Sequence, residues 1–129
     1  MDAAVKGLAG ARLIEVPRFA DARGCLVAFE HGHPLPFTPR RTFVISEVPE
    51  GAQRARHPVS CGQFLWMAAG SCTASIRQAA EDADGAREFR LEQSGPGLYL
   101  PAGLWLALAA FAPCSMLICL AESEYVPRG

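Results

Sequence analysis

The chain has 129 residues, half of them hydrophobic and 19% charged, with a formal net charge of −1. That length and composition suit one domain with a buried core and exclude a disordered tail. With no basic stripe, nucleic acid and anionic membrane surfaces are excluded as partners. The cysteines Cys25, Cys61, Cys72, Cys114 and Cys119 are odd in number and form no C-x-x-C pair. The opening "MDAAVKGLAGARLIEV" has no secretory h-region. A reduced, cytoplasmic protein with mostly buried thiols is expected.

In chain order, short apolar runs recur: "ARLIEV", "CLVAFE", "RTFVISEV", "QFLWMAAG", "CTASIRQA", "REFRLEQ", "GLYLP", "LWLALAAF" and "SMLICLA". Turn signals separate them, among them "DARG", "HPLPFTPR", "PEGAQ", "EDADG" and "SGPG". "EDADGAR" reads as a hairpin tip, and the Ala-Gly pair at 69 and 70 as a bulge or tight turn. No window carries apolar spacing through three capped helical turns. The pattern predicts an all-β domain over 1–129, a sandwich or barrel, with at most a turn of helix at the start. Residues 94–121 carry no charge and are long enough to span a membrane. Pro96, Pro101 and Pro113, with Gly95, Gly97 and Gly103, cut that stretch into strand-length pieces. Two buried strands and a turn are expected there, not a transmembrane helix.

The most specific spacing lies in "GAQRARHPVSCGQFLWMAAG", residues 51–70. Gly51 is followed by five residues, His57, one residue, Val59, three residues, Gln63, six residues and Gly70. Later, Gly95 is followed by five residues, Pro101, one residue, Gly103, two residues, Leu106, three residues and Ala110. These intervals match the two motifs of the cupins, G-x5-H-x-H-x3,4-E-x6-G and G-x5-P-x-G-x2-H-x3-N. The chain therefore resembles the cupin superfamily, which implies a double-stranded β-helix, or jelly roll. The turn-forming glycines and proline are all present. Of the polar positions only His57 is kept: Val59 stands at the second His, Gln63 at the Glu, Leu106 at the third His and Ala110 at the Asn.

A narrower resemblance covers nearly the whole chain. "DARGCLVAFE", "PFTPRRTFVISEVPEG", "QFLWMAAGSC", "GLYLPAGLW" and "CLAESEY" are similar to the sugar 3,4-ketoisomerase family of cupins (WxcM-like, FdtA-type). Members act on dTDP-4-keto-6-deoxyglucose and move the keto group from carbon 4 to carbon 3. The resemblance implies a homodimer with exchanged strands, a dTDP-hexose as ligand, and no metal requirement. The family's R-G-x-H-A-H-K-K segment reads "RARHPV-S" here, one residue shorter before Gln63. Arg54 and His57 carry over; the second His and the Lys do not. The W-H-E of the second motif is Trp105, Leu106 and Ala107, and the third-strand tyrosine is Phe43, preceded by the retained Arg41. The family's Y-Y-D-E tail stops at Tyr125.

A 3,4-ketoisomerisation takes a proton from carbon 3, passes through an enediol and returns a proton at carbon 4. It needs a group that titrates near the working pH, which an imidazole does. His57 is the candidate acid–base residue. A donor must also stabilise the developing oxyanion, an effect of about 3 kcal/mol per donor. Arg41, Arg54, Gln63 and Tyr99 are the candidate substrate-binding donors. Gln63 shares a face with His57 and Cys61 if the strand is regular, which would line the lumen. No cofactor and no metal are expected, because Val59, Leu106 and Ala110 cannot ligate and Gln63 ligates weakly.

The other polar residues have simpler readings. His31 and His33 fit an exposed Pro-bounded loop better than a metal clip, and His57 with Cys61 lacks a group to orient the imidazole for thiol chemistry. Arg40 and Arg41 suit either a pyrophosphate or a solvated strand start. Trp66 and Trp105 read as core aromatics before sugar platforms. Three functions follow. The leading one is the family's isomerase activity, in deoxysugar assembly for surface polysaccharide. The alternatives are a non-catalytic nucleotide-sugar-binding or partner-binding dimer, and a cupin holding a small apolar ligand in its lumen.

Overall fold

The computed structural model describes residues 10–32, 34–79, 81 and 83–124. The expected helical turn at the start, His33 and Tyr125 lie outside them. Two antiparallel sheets carry the architecture. The first runs β1 (Arg12–Ile14), β11 (Gly97–Leu100), β8 (Gln63–Ala69), β13 (Met116–Ala121) and β6 (Arg41–Ser46) from edge to edge. The second runs β10 (Arg87–Glu92), β9 (Ser71–Arg77), β12 (Trp105–Ala109) and β7 (Arg54–Pro58). Two small pairings, β2 (Phe19–Asp21) with β3 (Gly24–Leu26) and β4 (Glu30–His31) with β5 (Pro34–Leu35), lie in the N-terminal segment.

Eight of the nine apolar runs fall on single strands, and "CLVAFE" is divided, with residues 27–29 between β3 and β4. "EDADG" joins β9 to β10, with a single 3-10 turn over Ala83–Gly85. Gly70 makes the tight turn between β8 and β9 at φ +74°, and a Cβ there would overlap Ser115. The uncharged stretch 94–121 forms three strands, β11, β12 and β13, where two were expected. The extra one arises because the turn at Ala102–Gly103 separates two strands that pair in different sheets. Among the described residues no helix is long and apolar enough to cross a membrane.

The space between the sheets holds the main core. Leu65, Met67, Leu98, Leu100, Leu108 and Leu117 are at most 1% exposed there. Burial of each stabilises the fold by about 1.5–3 kcal/mol relative to exposure. A second cluster covers the outer face of the first sheet, where Phe64 and Leu120 pack under Val16, Leu35 and Phe37 of the N-terminal segment. The centre of the first sheet is thus buried on both faces, which explains why β8 reads as a continuous apolar run.

Register fixes which residues line the lumen. Across the first sheet Ala121 pairs with both Gln63 and Arg41, while Cys119 pairs with both Leu65 and Phe43. A polar row therefore lies above an apolar one. Gln63 and Arg41, two strands apart, have backbones roughly 10 Å from each other. Across the second sheet His57 pairs with Leu106, and Arg54 with Leu108.

Candidate active site

A cavity of 1090 Å³ opens between β6, β7 and the end of β13. Arg41, Arg54, His57 and Gln63 line its polar part; Leu65, Leu106, Leu108 and Cys119 form its apolar part. Four of the five residues singled out from sequence are thus brought to one lumen. Tyr99 is not. It sits on β11 facing outward, with its ring 6.1 Å from Phe37 and the Arg12 guanidinium 5.2 Å above it. The outward direction follows from pairing: Tyr99 is opposite Phe64, whose side chain belongs to the outer cluster.

The local backbone of β7 decides the arrangement. Arg54 and His57 are three apart, so on a regular strand they would face opposite sides. Ala55 and Arg56 instead have φ of 66° and 71°, and the register with β12 shifts between Leu106 and Ala107. This β-bulge leaves Arg56 as the extra residue and resets the alternation. Arg54 and His57 then both reach the lumen, while Arg56 lines a small depression outside with Arg77 and Trp105. Neither tryptophan lines the lumen. Trp105 lies under the Arg77 guanidinium at 4.6 Å, and Trp66 packs edge-on to Phe29 at 5.2 Å.

Cys61 also departs from the expected common face. The turn at Val59–Gly62 separates β7 from β8, so His57 and Gln63 reach the cavity from two different sheets rather than along one regular strand. Cys61 is buried outside the lining. Val59 is 2% exposed in the same core cluster as Leu106.

His57 is half-buried, and its Nδ1 lies 2.9 Å from the carbonyl oxygen of Pro58. A carbonyl only accepts, so Nδ1 carries the proton and donates it. The basic atom of the neutral ring is then Nε2. Burial pushes the Cys119 thiol up to about 12, with nearby Cys72 adding to the effect and Arg41 opposing it. Cys119 is therefore a neutral wall of the lumen and not a nucleophile.

Four polar lining residues were not singled out from sequence: Thr42, Ser60, Ser123 and Glu124. The last two follow β13. The Glu122 N–H donates to the Gly62 carbonyl at 2.9 Å, and its Oε1 accepts from the Gly62 N–H at 3.2 Å. That clamp directs residues 123 and 124 over the cavity rim. Nothing in the local pattern of "AESE" signals it, since only closure of the sheet brings this segment beside β7. Among the described residues no group of three or more His, Cys, Asp or Glu could hold a metal ion. His31 Nδ1 instead lies 3.1 Å from Thr38 Oγ1.

Two facing antiparallel sheets with a side-chain-lined lumen, a His on one wall and both glycine motifs at the turns define a cupin. The model of the WxcM-like, C-terminal family matches residues 9–128, and the chain belongs to that family. It is 27% identical over 115 residues to a TDP-4-oxo-6-deoxy-alpha-D-glucose-3,4-oxoisomerase of Aneurinibacillus thermoaerophilus, spanning 88% of this chain and 80% of that protein. Among solved structures it resembles a double mutant of the QdtA 3,4-ketoisomerase of Thermoanaerobacterium thermosaccharolyticum in complex with TDP. That match has a TM-score of 0.82 and 25% identity, over 92% of this chain and 84% of that one. The fold also matches the rmlC epimerase of Mycobacterium tuberculosis at a TM-score of 0.72 and 20% identity, over 93% of this chain and 66% of that one.

Proposed function

We propose that this chain, as one cupin domain over 1–129, binds a dTDP-linked 4-keto-6-deoxy hexose in its lumen and moves the keto group from carbon 4 to carbon 3. The observation that carries the reading is the convergence of Arg41, Arg54, His57 and Gln63 on one cavity, with His57 oriented by Pro58. The Arg41 guanidinium on the cavity lining suits the diphosphate. The leucines beneath suit the methyl group and ring of a deoxysugar. Nε2 of His57 takes the proton from carbon 3. Arg54 and Gln63, donors on the lumen wall, stabilise the negative charge that develops on the oxygen of carbon 4. No metal takes part in this account. A nucleotide-linked substrate fits action in the cytoplasm, where thiols such as the five here stay reduced.

A homodimer is part of the same reading. Val44 is 52% and Met116 42% exposed, adjacent on the outer face of β6 and β13. β6 is also a sheet edge with unpaired backbone groups. A second copy laid over this corner covers both features.

The test follows the proton. With the 4-keto sugar in deuterated buffer, the protein is expected to incorporate deuterium at carbon 3 and to form the 3-keto isomer. His57→Ala is expected to lose both by at least about 10²-fold. Absence of exchange at high protein concentration overturns the isomerase reading. If TDP still raised the melting temperature in that case, the second reading, a nucleotide-sugar-binding module, would stand. It is favoured by Leu106, which faces His57 where a partner imidazole would complete a pair.

A further inference from the structure

We infer that Glu124 is the second proton-transfer group of this site, moving the hydroxyl proton between the oxygens on carbons 3 and 4 while His57 moves the carbon-bound one; this rests on the reaction proposed above.

The chemistry requires two separate transfers. A 4-keto, 3-hydroxy sugar becomes its 3-keto, 4-hydroxy isomer only if one proton goes from carbon 3 to carbon 4. A second must go from the oxygen on carbon 3 to the oxygen on carbon 4. The enediol between them is planar. Protons on carbon leave and arrive perpendicular to that plane, along the π orbitals, whereas the hydroxyl protons lie near the plane. One imidazole set over the face is badly placed for the edge.

The cavity offers few groups for the second task. The ionisable residues on its lining are Arg41, Arg54, His57, Cys119 and Glu124. The arginines stay charged, and burial keeps the Cys119 proton in place. Glu124 is left. It is exposed on the rim, and the Glu122–Gly62 clamp fixes the chain two residues before it. Among the described residues its carboxylate has no hydrogen-bond or ion-pair partner, so it is available to a ligand.

The steps balance. His57 Nε2 removes the proton on carbon 3; that C–H pair becomes the C=C bond, and the carbonyl π pair moves to the oxygen on carbon 4. Glu124 then takes the hydroxyl proton on carbon 3, and the O–H pair becomes the new carbonyl. The C=C pair takes the proton from the His57 imidazolium at carbon 4. Glu124 returns its proton to the oxygen on carbon 4. Both residues end as they began, and no oxidant or reductant is needed.

Glu124→Gln separates the two transfers. In deuterated buffer this variant is expected to retain deuterium incorporation at carbon 3 within several-fold of the parent chain. Formation of the 3-keto isomer should fall by about 10²-fold or more, with partial recovery in Glu124→Asp. Its melting temperature and the stabilisation by TDP should match the parent. Isomer formation at the parent rate overturns the inference and leaves the isomerase reading intact. Loss of exchange and product together, or loss of TDP stabilisation, also overturns it, because Glu124 would then act on the carbon proton or in binding. A parent chain showing neither exchange nor product would remove the isomerase reading and this inference with it.

Discussion

The lumen is chemically sorted residue by residue. His57 contributes one basic nitrogen because the Pro58 carbonyl holds the other protonated. Two buried thiols work in the opposite direction: Cys72 is pushed up to about 11 and Cys119 to about 12, chiefly by burial, from 9.0 in the open chain. Between pH 9 and these values the unfolded chain releases protons that the native state keeps. Stability is therefore full below about pH 9 and falls as the pH rises toward 12. Cys119 alone should account for about 2 kcal/mol lost by about pH 10.5. Urea denaturation across that interval measures the loss, and Cys119→Ala should flatten it. A stability that stays constant from pH 9 to 11 would contradict the burial of these thiols.

At the scale of elements, β7 and β11 differ in how they are specified. β7 is not among the nine apolar runs, although it carries both Arg54 and His57. Its "RARHP" has no apolar alternation, since it is a sheet edge lining a polar rim. Its bulge was equally hidden, because Ala55 and Arg56 are not residues that favour positive φ. β11 was legible from "GLYLP", and within it Gly97 lies against the fully buried Phe64 ring. A methyl group there has nowhere to go. Gly97→Ala should cost about 1–3 kcal/mol by overpacking, read as a lower urea midpoint at unchanged slope. An unchanged midpoint would mean that Phe64 can repack.

For the molecule as a whole, assembly is the remaining question. Sedimentation equilibrium at micromolar concentration is expected to give twice the chain mass. Val44→Glu combined with Met116→Glu should give the monomer mass while the melting curve stays cooperative, because both positions are exposed in the single chain. A parent that sediments as a monomer refutes the dimer, and a double variant that stays dimeric moves the contact elsewhere.

The sequence by itself determined the all-β architecture, the positions of the long strands and the cupin family. Alternation and turn glycines are local signals, and local signals survive in a linear string. It also supplied four of the lumen residues, His57 and Gln63 through motif spacing and Arg41 and Arg54 through the family resemblance. Only the tertiary structure decided that Tyr99 faces outward, that a bulge turns Arg54 and His57 to the same side, and that Glu124 meets them at the rim. Those outcomes depend on how strands far apart in the chain register against one another. A shift of one residue in that register reverses every side chain, and no neighbouring letter records it.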